Sequence, residues 1–409
     1  MIVIIGAGIA GLTCAKYLKD RGIEALVLEA SDGIGGRVRT DVVEGFKLDR
    51  GFQVLLTSYP EAEKLLNYED LQLEVLPSGA RIRNGSDFFV MPNPLKNFLT
   101  APQALFSPVG SLFDKVKILQ LNLETRNATE PDDVSNRKSS ESTVSFLKNY
   151  GYSETIISRF FKPFFRGVFL EKELKTNSSF FKFLYNQFAK GDVVIPQNGM
   201  QAIPEQIAGH LSPQSVRLNT PVKAISGKAV HLENGETIEA DKIVLATDAR
   251  AAAKLLEEES NVEFNGTVCL YFESDAPLKL SGKPYLIISS NANEMIDHLL
   301  ICSDVAPSYA PAGKTLISVS IVGNKEISDD DFEKSVKAEL VEWFGRDNAW
   351  QHLKTYRIPQ ALPQFFQNSS INQTLKINEY TYRCGDYTAY PSLNAAMKTG
   401  REVAAMLYQ

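Results

Sequence analysis

The start of the chain alternates short, fully apolar runs with a glycine-rich turn and a helical pattern. Residues 2–5 and 25–28 are continuous apolar runs, which is typical of parallel strands buried on both faces. Between them, Leu12, Ala15 and Leu18 recur at the spacing of a buried helix face. The pattern therefore predicts a strand–helix–strand unit at the start of the chain.

Later segments carry two further blocks of pattern that belong with this unit. Short strands are predicted around 216–218, 222–225, 230–232 and 243–246, with a hairpin turn at Asn234-Gly235. A C-terminal helix over about 391–408 is predicted because apolar or small residues recur at three- to four-residue steps. These residues are Leu393, Ala396, Met397, Gly400, Ala404 and Leu407.

Two long insertions separate these blocks. Residues of about 85–190 are rich in Phe and have helical periodicity, while the polar stretch 129–142 predicts an exposed, mobile loop. Residues of about 260–375 contain alternating runs such as Thr267–Phe272 and Thr315–Ile321. Alternation of this kind predicts a mixed or antiparallel sheet.

Composition narrows the class of protein without naming a reaction. The 409 residues include 43 Lys and Arg against 49 Asp and Glu, a formal net charge of −6, which predicts no general attraction to nucleic acid. The four histidines are scattered, so no metal site is predicted. The four cysteines form no CxxC pair, which favours reduced thiols in a cytoplasmic protein. We expect neither a signal peptide nor a membrane-spanning helix.

A G-x-G-x-x-G motif, formed by Gly6, Gly8 and Gly11, joins the first strand to the first helix. Gly6 permits the tight turn, Gly8 lets the backbone approach a pyrophosphate, and Gly11 lets helix and strand pack closely. The N–H groups that open the helix, at Ile9 and Ala10, favour phosphate together with the helix dipole. The alternative is a glycine-rich turn that opens an ordinary helix.

An acidic residue, Glu29, ends the second strand 18 residues after Gly11. Its carboxylate can accept hydrogen bonds from both hydroxyls of an adenosine ribose, and it would repel a 2′-phosphate. The motif therefore predicts dinucleotide binding and disfavours NADP, but it leaves FAD and NAD open.

The residues that follow Glu29 help to choose between FAD and NAD. Glu29-Ala30 is followed by Gly35-Gly36-Arg37, where the glycines again permit close backbone approach and Arg37 can bind phosphate through two parallel hydrogen bonds. This stretch resembles the E-A-x-x-x-x-G-G-R signature of the flavoenzyme superfamily that includes monoamine and polyamine oxidases, protoporphyrinogen oxidase and carotenoid desaturases. The alternative for this segment is a basic surface loop.

The resemblance covers nearly the whole chain and is closest to the branch of phytoene desaturase and protoporphyrinogen oxidase. The supporting stretches are 48–54, 164–170 and 197–204, the last of which departs from the usual G-G-M at Asn198. The resemblance implies further cofactor contacts in five places. These are Gly51, Phe52 and Gln53 beside the flavin ring, Val222 at the adenine, Ala246 and Thr247 under the cofactor, Gly385 and Asp386 at the ribityl chain, and Leu393 and Asn394 at the polar edge of the flavin.

The predicted fold class is α/β, with a Rossmann-like FAD-binding domain interleaved with an α+β substrate domain. The FAD-binding domain is expected to comprise 1–75, 191–258 and 376–409. The substrate domain is expected to comprise 76–190 and 259–375, as a mixed sheet with a helical cap at about 92–190.

The resemblance implies non-covalent FAD and removal of hydride from a hydrophobic organic substrate, such as a polyene or a porphyrinogen-like ring, to flavin N5. No acid–base pair is visible, so no catalytic residue is assigned; Phe52, Arg166 and Tyr390 are candidates for the flavin face. Cys384 adjoins the Gly385-Asp386 motif, unlike the upstream cysteines of covalent flavoenzymes, which disfavours covalent attachment.

Three alternatives stay open at this point: a non-redox flavoprotein isomerase, an amine oxidase, and a flavin-binding protein without turnover. The electron acceptor, oxygen or a quinone, is not specified by the sequence. Residues 91–121 mix apolar residues with Lys96, Lys115 and Lys117, so peripheral membrane contact and a helical cap are both considered. The expected location is the cytoplasm, with membrane association as an option.

Overall fold

The computed structural model describes residues 1–92, 110–131, 141–278, 280–291, 293–324, 326–345, 349–366 and 374–408. The strands are β1 (Ile2–Ile5), β2 (Ala25–Leu28), β3 (Thr40–Val43), β4 (Phe46–Asp49), β5 (Leu55–Leu56), β6 (Leu73–Leu76), β7 (Gly79–Asn84), β8 (Asp87–Pro92), β9 (Val193–Pro196), β10 (Val216–Arg217), β11 (Val222–Ser226), β12 (Ala229–Leu232), β13 (Thr237–Glu239), β14 (Lys242–Leu245), β15 (Phe264–Ser274), β16 (Ile287–Ser289), β17 (His298–Ile301), β18 (Thr315–Val322), β19 (Gln351–Pro363) and β20 (Thr381–Arg383). The helices are α1 (Ile9–Lys19), α2 (Pro60–Leu65), α3 (Leu112–Thr125), α4 (Thr143–Asn149), α5 (Glu154–Ile156), which continues through a π-helical stretch (Ile157–Phe161) into α6 (Lys162–Phe169), α7 (Ser178–Lys190), α8 (Ala202–Gly209), α9 (Ala249–Leu255), α10 (Cys302–Val305), α11 (Asp329–Phe344) and α12 (Leu393–Leu407).

A five-stranded parallel sheet, in the order β10-β2-β1-β14-β20, is built from three distant parts of the chain. Every residue of β1 is buried, because helices cover one face of the sheet, while α9 and the strands β12 and β13 cover the other. On one face Ile4 packs in the same core as Leu12 of α1, and on the other Val3 packs with Ala252 of α9. The predicted strand–helix–strand unit is confirmed, and the predicted strand near 243–246 lies beside β1.

The C-terminal helix α12 packs along α1 through small residues. A Cβ atom on Gly400 would overlap the carbonyl oxygen of Ala10, so glycine is needed for this close helix approach. The predicted helix is confirmed, although two of its expected core residues, Leu393 and Ala396, lie on a cavity wall instead.

A seven-stranded mixed sheet, in the order β19-β15-β18-β17-β16-β7-β8, forms the second large layer. Its pairs are antiparallel except for β16 and β7, which run parallel. One face packs against α11 through Phe332, Val336 and Leu340. The opposite face carries Cys269 and Leu300 toward the core that contains the parallel sheet. This sheet confirms the prediction of a mixed or antiparallel sheet for residues of about 260–375.

Helices α3 to α7 form an aromatic layer beside the two sheets. The rings of Phe161, Phe165 and Phe181 contact one another, with centroids 4.8 Å apart for the pair Phe165 and Phe181. The helical prediction for about 85–190 is confirmed for α3 to α7, but it is wrong for residues 87–92, which form strand β8 at the edge of the mixed sheet. Residues 93–109 and 132–140, which include most of the predicted mobile loop at 129–142, lie outside the described residues.

The division into two interleaved domains stays a proposal. It is supported by the sheets, because the five parallel strands fall within 1–75, 191–258 and 376–409. The seven strands of the mixed sheet fall within 76–190 and 259–375. Each predicted group of segments thus contributes to its own large sheet.

Candidate functional site

One cavity of about 960 Å³ runs between the parallel sheet, the mixed sheet and the aromatic helices. A volume of this size is at the upper end for small-molecule sites. Most of the residues predicted to bind the cofactor lie on its wall. They are Gly6, Gly8, Ile9, Ala10, Glu29, Ala30, Gly35, Gly36, Arg37, Gly51, Phe52, Gln53, Ala246, Thr247, Gly385, Asp386 and Leu393. We call this part of the cavity the dinucleotide end.

The glycines between β1 and α1 differ in what surrounds them. A Cβ atom on Gly11 would overlap the carbonyl oxygen of Gly6, and one on Gly6 would lie 2.8 Å from the carbonyl oxygen of Ala246. Gly8 is different, because a Cβ atom there would meet no protein atom within 4 Å. Since Gly8 also lines the cavity, the missing side chain leaves room for a ligand at the start of α1. Gly11 itself does not line the described cavity wall; its role is packing.

The carboxylate of Glu29 is fixed by three donors at the end of β2. The backbone N–H of Ala7 donates to Oε2 at 2.8 Å, and the N–H and hydroxyl of Ser31 donate to Oε1 at 2.9 and 2.8 Å. A carboxylate has about four acceptor positions. Oε2 therefore keeps the capacity to accept a hydrogen bond from a ligand hydroxyl in the cavity.

An ion pair joins the two charged residues that were predicted to contact the cofactor from opposite ends of the chain. The Arg37 guanidinium donates to Asp386 Oδ1 at 2.6 Å and to the carbonyl oxygen of Ala361 at 2.8 Å. The Gln53 amide donates to the carbonyl oxygen of Arg37 at 2.7 Å. These contacts bring three separate predicted segments together on one wall.

The chain at Gly51 passes close against the mixed sheet. A Cβ atom on Gly51 would lie 2.5 Å from Cδ1 of Ile358, and its φ of +96° is one that glycine adopts most readily. The segment is anchored by Asp49, which accepts hydrogen bonds from Thr40, Met200 and Tyr309. Burial raises the pKa of Asp49 to about 6.

Five predicted residues are absent from the described cavity wall, namely Gly11, Val222, Asn394, Arg166 and Tyr390. Val222 pairs with Leu232 in a separate three-stranded sheet, β11-β12-β13, and its contact with adenine stays a prediction. Asn394 accepts from the N–H of Glu61 and donates to the hydroxyl of Tyr390. Both polar groups are therefore used inside the protein.

Arg166 and Tyr390, the other two candidates for the flavin face, make their contacts inside the protein. Arg166 is buried, with Nε 2.9 Å from Asp297 and a hydrogen bond to the carbonyl oxygen of Ser289. Tyr390 packs its ring against Phe180 and Phe183. Their side chains hold helix α6 on the mixed sheet and the C-terminal segment on α7, and neither lines the described cavity. Phe52 does line it.

The other part of the cavity, which we call the substrate end, is walled mainly by aromatic rings. These residues are Phe160, Phe161, Phe164, Phe165, Phe180, Tyr185 and Phe188. The rings of Phe164 and Phe188 meet edge to face at 5.4 Å. Such a wall excludes water and gives large apolar contact area.

A short polar patch interrupts the apolar lining of the substrate end. Thr267, His298 and Ser320 reach it from neighbouring strands of the mixed sheet. Sequence reasoning missed these residues, because His298 was only one of four scattered histidines. The alternation of side chains along β17 and β18 could indicate which residues share a face of a strand. It does not show which strands are neighbours in the sheet.

Helix α3 presents an exposed apolar stripe to the outside. Its residues are Leu112, Phe113, Val116, Leu119 and Leu123, with Phe113 80% exposed. The opposite side of the same helix places Ile118 on the cavity wall. In the part of the chain that the structure describes, no helix has the length and apolar character to cross a membrane.

Comparison with known proteins agrees with this arrangement. The family described as "Flavin containing amine oxidoreductase" matches residues 9–407. Coproporphyrinogen III oxidase of Bacillus subtilis (strain 168) is 23% identical over 419 residues, covering 89% of this chain and 87% of that protein. The 15-cis-phytoene desaturase of Capsicum annuum is 25% identical over 292 residues, covering 63% of this chain and 48% of the desaturase.

A solved structure of putrescine oxidase bound to putrescine has a similar fold. It superposes with a TM-score of 0.74 at 16% sequence identity, covering 100% of this chain and 98% of that one. At this identity the likeness concerns the fold.

Proposed function

The chain belongs to the family of flavin-containing amine oxidoreductases, and from that premise we propose that it oxidises a large apolar organic substrate with bound FAD. As a member of this family it is a FAD-dependent oxidoreductase. The observation that carries the finer proposal is that residues suited to FAD and an aromatic wall line one continuous cavity. Substrate and cofactor would therefore meet without solvent between them.

The residues of the dinucleotide end would hold FAD without a covalent bond. The open space at Gly8 and the N–H groups at the start of α1 fit the pyrophosphate. Glu29 fits the ribose hydroxyls, and Arg37 and Asp386 fit the phosphate and the ribityl chain. Cys384 is fully buried and is absent from the described cavity wall, which favours non-covalent binding.

FAD, when bound, supplies the chemistry of accepting a hydride from the substrate. The chain's own contribution is to orient the substrate and to exclude water. The aromatic wall performs the second task, because it removes the substrate end from solvent. Oxygen or a quinone would then return the flavin to its oxidised form.

The lining of the substrate end favours an apolar substrate over an amine. A protonated amine needs a carboxylate or similar partner when it is buried. Among the described lining residues, the acidic side chains are Glu29, Asp248 and Asp386, all at the dinucleotide end, and no lysine is found. A porphyrinogen-like ring or a polyene fits this lining better.

The same lining also favours a sugar isomerase less than an oxidoreductase of an apolar substrate. Such an enzyme needs free arginines for a charged sugar nucleotide, but the three arginines on the described cavity wall, Arg37, Arg50 and Arg357, all have acidic partners. Arg50 bonds to Asp41 and Arg357 bonds to Asp329. Their guanidinium groups therefore have protein partners.

The proposal is tested by anaerobic titration of the purified holoenzyme with porphyrinogens, polyenes and amines. We expect the flavin to lose its visible absorption with an apolar donor and to keep it with amines. A flavin that only dithionite reduces would reject this function and support a protein without turnover. Activity that needs prior reduction and consumes no acceptor would instead support an isomerase.

We also propose that the protein is cytoplasmic and that the exposed apolar stripe of α3 contacts a lipid surface. An exposed apolar patch of this kind marks an interaction surface, and Ile118 connects the same helix to the cavity. An apolar substrate could thus enter from lipid. Flotation with liposomes should be lost when Leu112 and Phe113 are both changed to Ser, and kept when the exposed Val42 is changed to Ser. Recovery of the wild type only in the unbound fraction would reject lipid contact.

A further inference from the structure

A row of polar side chains crosses the cavity-facing side of the mixed sheet. Cys269 of β15 pairs with Ser320 of β18, and Ser320 pairs with His298 of β17. Directly paired residues of antiparallel strands point to the same face, with Cβ atoms about 5 Å apart. His298 and Ser320 therefore stand side by side, and both line the cavity.

The environment of His298 fixes which ring nitrogen carries the proton. Nε2 lies 2.8 Å from the carbonyl oxygen of Pro163, and a carbonyl oxygen can only accept a hydrogen bond, so Nε2 must be the donor. Burial lowers the pKa of His298 to about 4, which keeps the ring neutral near neutral pH. Nδ1 is then a bare acceptor.

The ring is also held in place by its neighbours. A Cβ atom on Gly167 would overlap the His298 imidazole, so the ring packs directly on the backbone of α6. Arg166, next to Gly167, bonds to Asp297, next to His298. Helix α6 and strand β17 are thus joined on both sides of the imidazole, and its orientation is fixed before any substrate arrives.

Two hydrogen-bonding groups in this row lack a protein partner. Within the described part of the chain, neither Nδ1 of His298 nor Oγ of Ser320 has a hydrogen bond to another residue, although both side chains are more than nine-tenths buried. Thr267, by contrast, donates to the carbonyl oxygen of Ile321. Both residues line the cavity, so a bound substrate that excludes water there must supply partners for these two atoms or leave them without a hydrogen bond, which is costly.

We propose that Nδ1 of His298 and Oγ of Ser320 receive an N–H or O–H donor of the substrate, so that the substrate is apolar in body but carries at least one such donor. This inference rests on the proposed function, and it restricts the proposed apolar substrates to those that carry an N–H or O–H group. A ring with pyrrole-type N–H groups satisfies this pair. A pure hydrocarbon polyene would leave both groups without a partner, because it has no donor.

The test compares two flat probes of nearly equal shape, carbazole, which has an N–H, and dibenzofuran, which has an oxygen there. Each is titrated into the oxidised holoenzyme, and binding is followed by the change in flavin absorption and by equilibrium dialysis. We expect the wild type to bind carbazole about tenfold more tightly, as suits a hydrogen bond in an apolar site. Because binding is measured without turnover, failure of the redox function would leave this result readable.

Substitutions of His298 and Ser320 test whether these two residues cause the preference for carbazole. Ser320→Ala and His298→Gln, which keeps a donor for Pro163, should each reduce carbazole affinity about fivefold and leave dibenzofuran binding unchanged. Ser318→Ala is the matched control, since Ser318 lies on the same strand and face, bonds to Cys269 and is not on the described cavity wall. Equal affinities for the two probes in the wild type, or equal weakening of both probes in Ser320→Ala, would overturn the proposal.

Discussion

The two ends of the cavity differ in which part of the chain would contact the ligand. At the dinucleotide end, backbone groups and missing side chains dominate, as at Gly8 and Gly36, with a few charges fixed by local hydrogen bonds. At the substrate end, side chains from several helices and strands form the wall. The first end tolerates little change in its backbone, whereas the second can be altered one side chain at a time.

The strongest test of this difference is Gly11→Val. Its side chain would overlap the carbonyl oxygen of Gly6, so the turn and the packing of α1 on the sheet should both fail. We expect a loss of about 3 kcal/mol or more in unfolding free energy, measured by urea denaturation. Gly209→Val, where a Cβ atom meets no atom within 4 Å, should stay close to wild type; equal loss in both variants would refute the packing argument.

Gly8→Val should separate cofactor binding from folding. A Cβ atom at this position meets no protein atom within 4 Å, so the apoprotein should keep its stability. The added side chain would occupy space in the cavity, and FAD affinity should fall about 100-fold, or about 2.7 kcal/mol. Flavin content after gel filtration measures this effect. Normal FAD binding by this variant would show that the pyrophosphate does not lie beside Gly8.

These glycines show what the sequence could predict. Motifs such as Gly6-x-Gly8 describe a local backbone path, and their residues lie together in the structure because the chain between them is short. The polar patch needed the pairing of β15, β17 and β18, which no local pattern specifies. The ion pair of Arg166 could not be predicted for the same reason, since its partner Asp297 is distant in sequence.

Asp49 anchors the segment that leads to Gly51, and its ionisation should make stability depend on pH. Its folded pKa of about 6 lies above the ordinary value of 3.8, so its contribution is fully present below about pH 4 and is lost as the pH rises through about 6. The change should reach up to about 3 kcal/mol. Asp49→Asn should remove this part of the pH dependence of urea unfolding. An unchanged pH profile in that variant would contradict the assignment.

The smallest expected effect is at the substrate end. Phe164→Ala should weaken binding of an apolar substrate about fivefold, because one ring of the wall is lost while its neighbours remain. FAD content should not change. Phe88→Ala is the matched control, since Phe88 packs on Trp343 at the other face of the mixed sheet. If Phe164→Ala lost FAD as readily as substrate, the two ends would not be separable.

We infer that the dinucleotide end and the substrate end of the cavity form one site in which an apolar donor reduces FAD. Anaerobic titration of the wild-type holoenzyme with a porphyrinogen, followed at the visible absorption of the flavin, tests it most directly. We expect full loss of that absorption, and a higher porphyrinogen concentration for the same loss in Phe164→Ala. Flavin that remains oxidised with every apolar donor, yet is reduced by an amine, would contradict it.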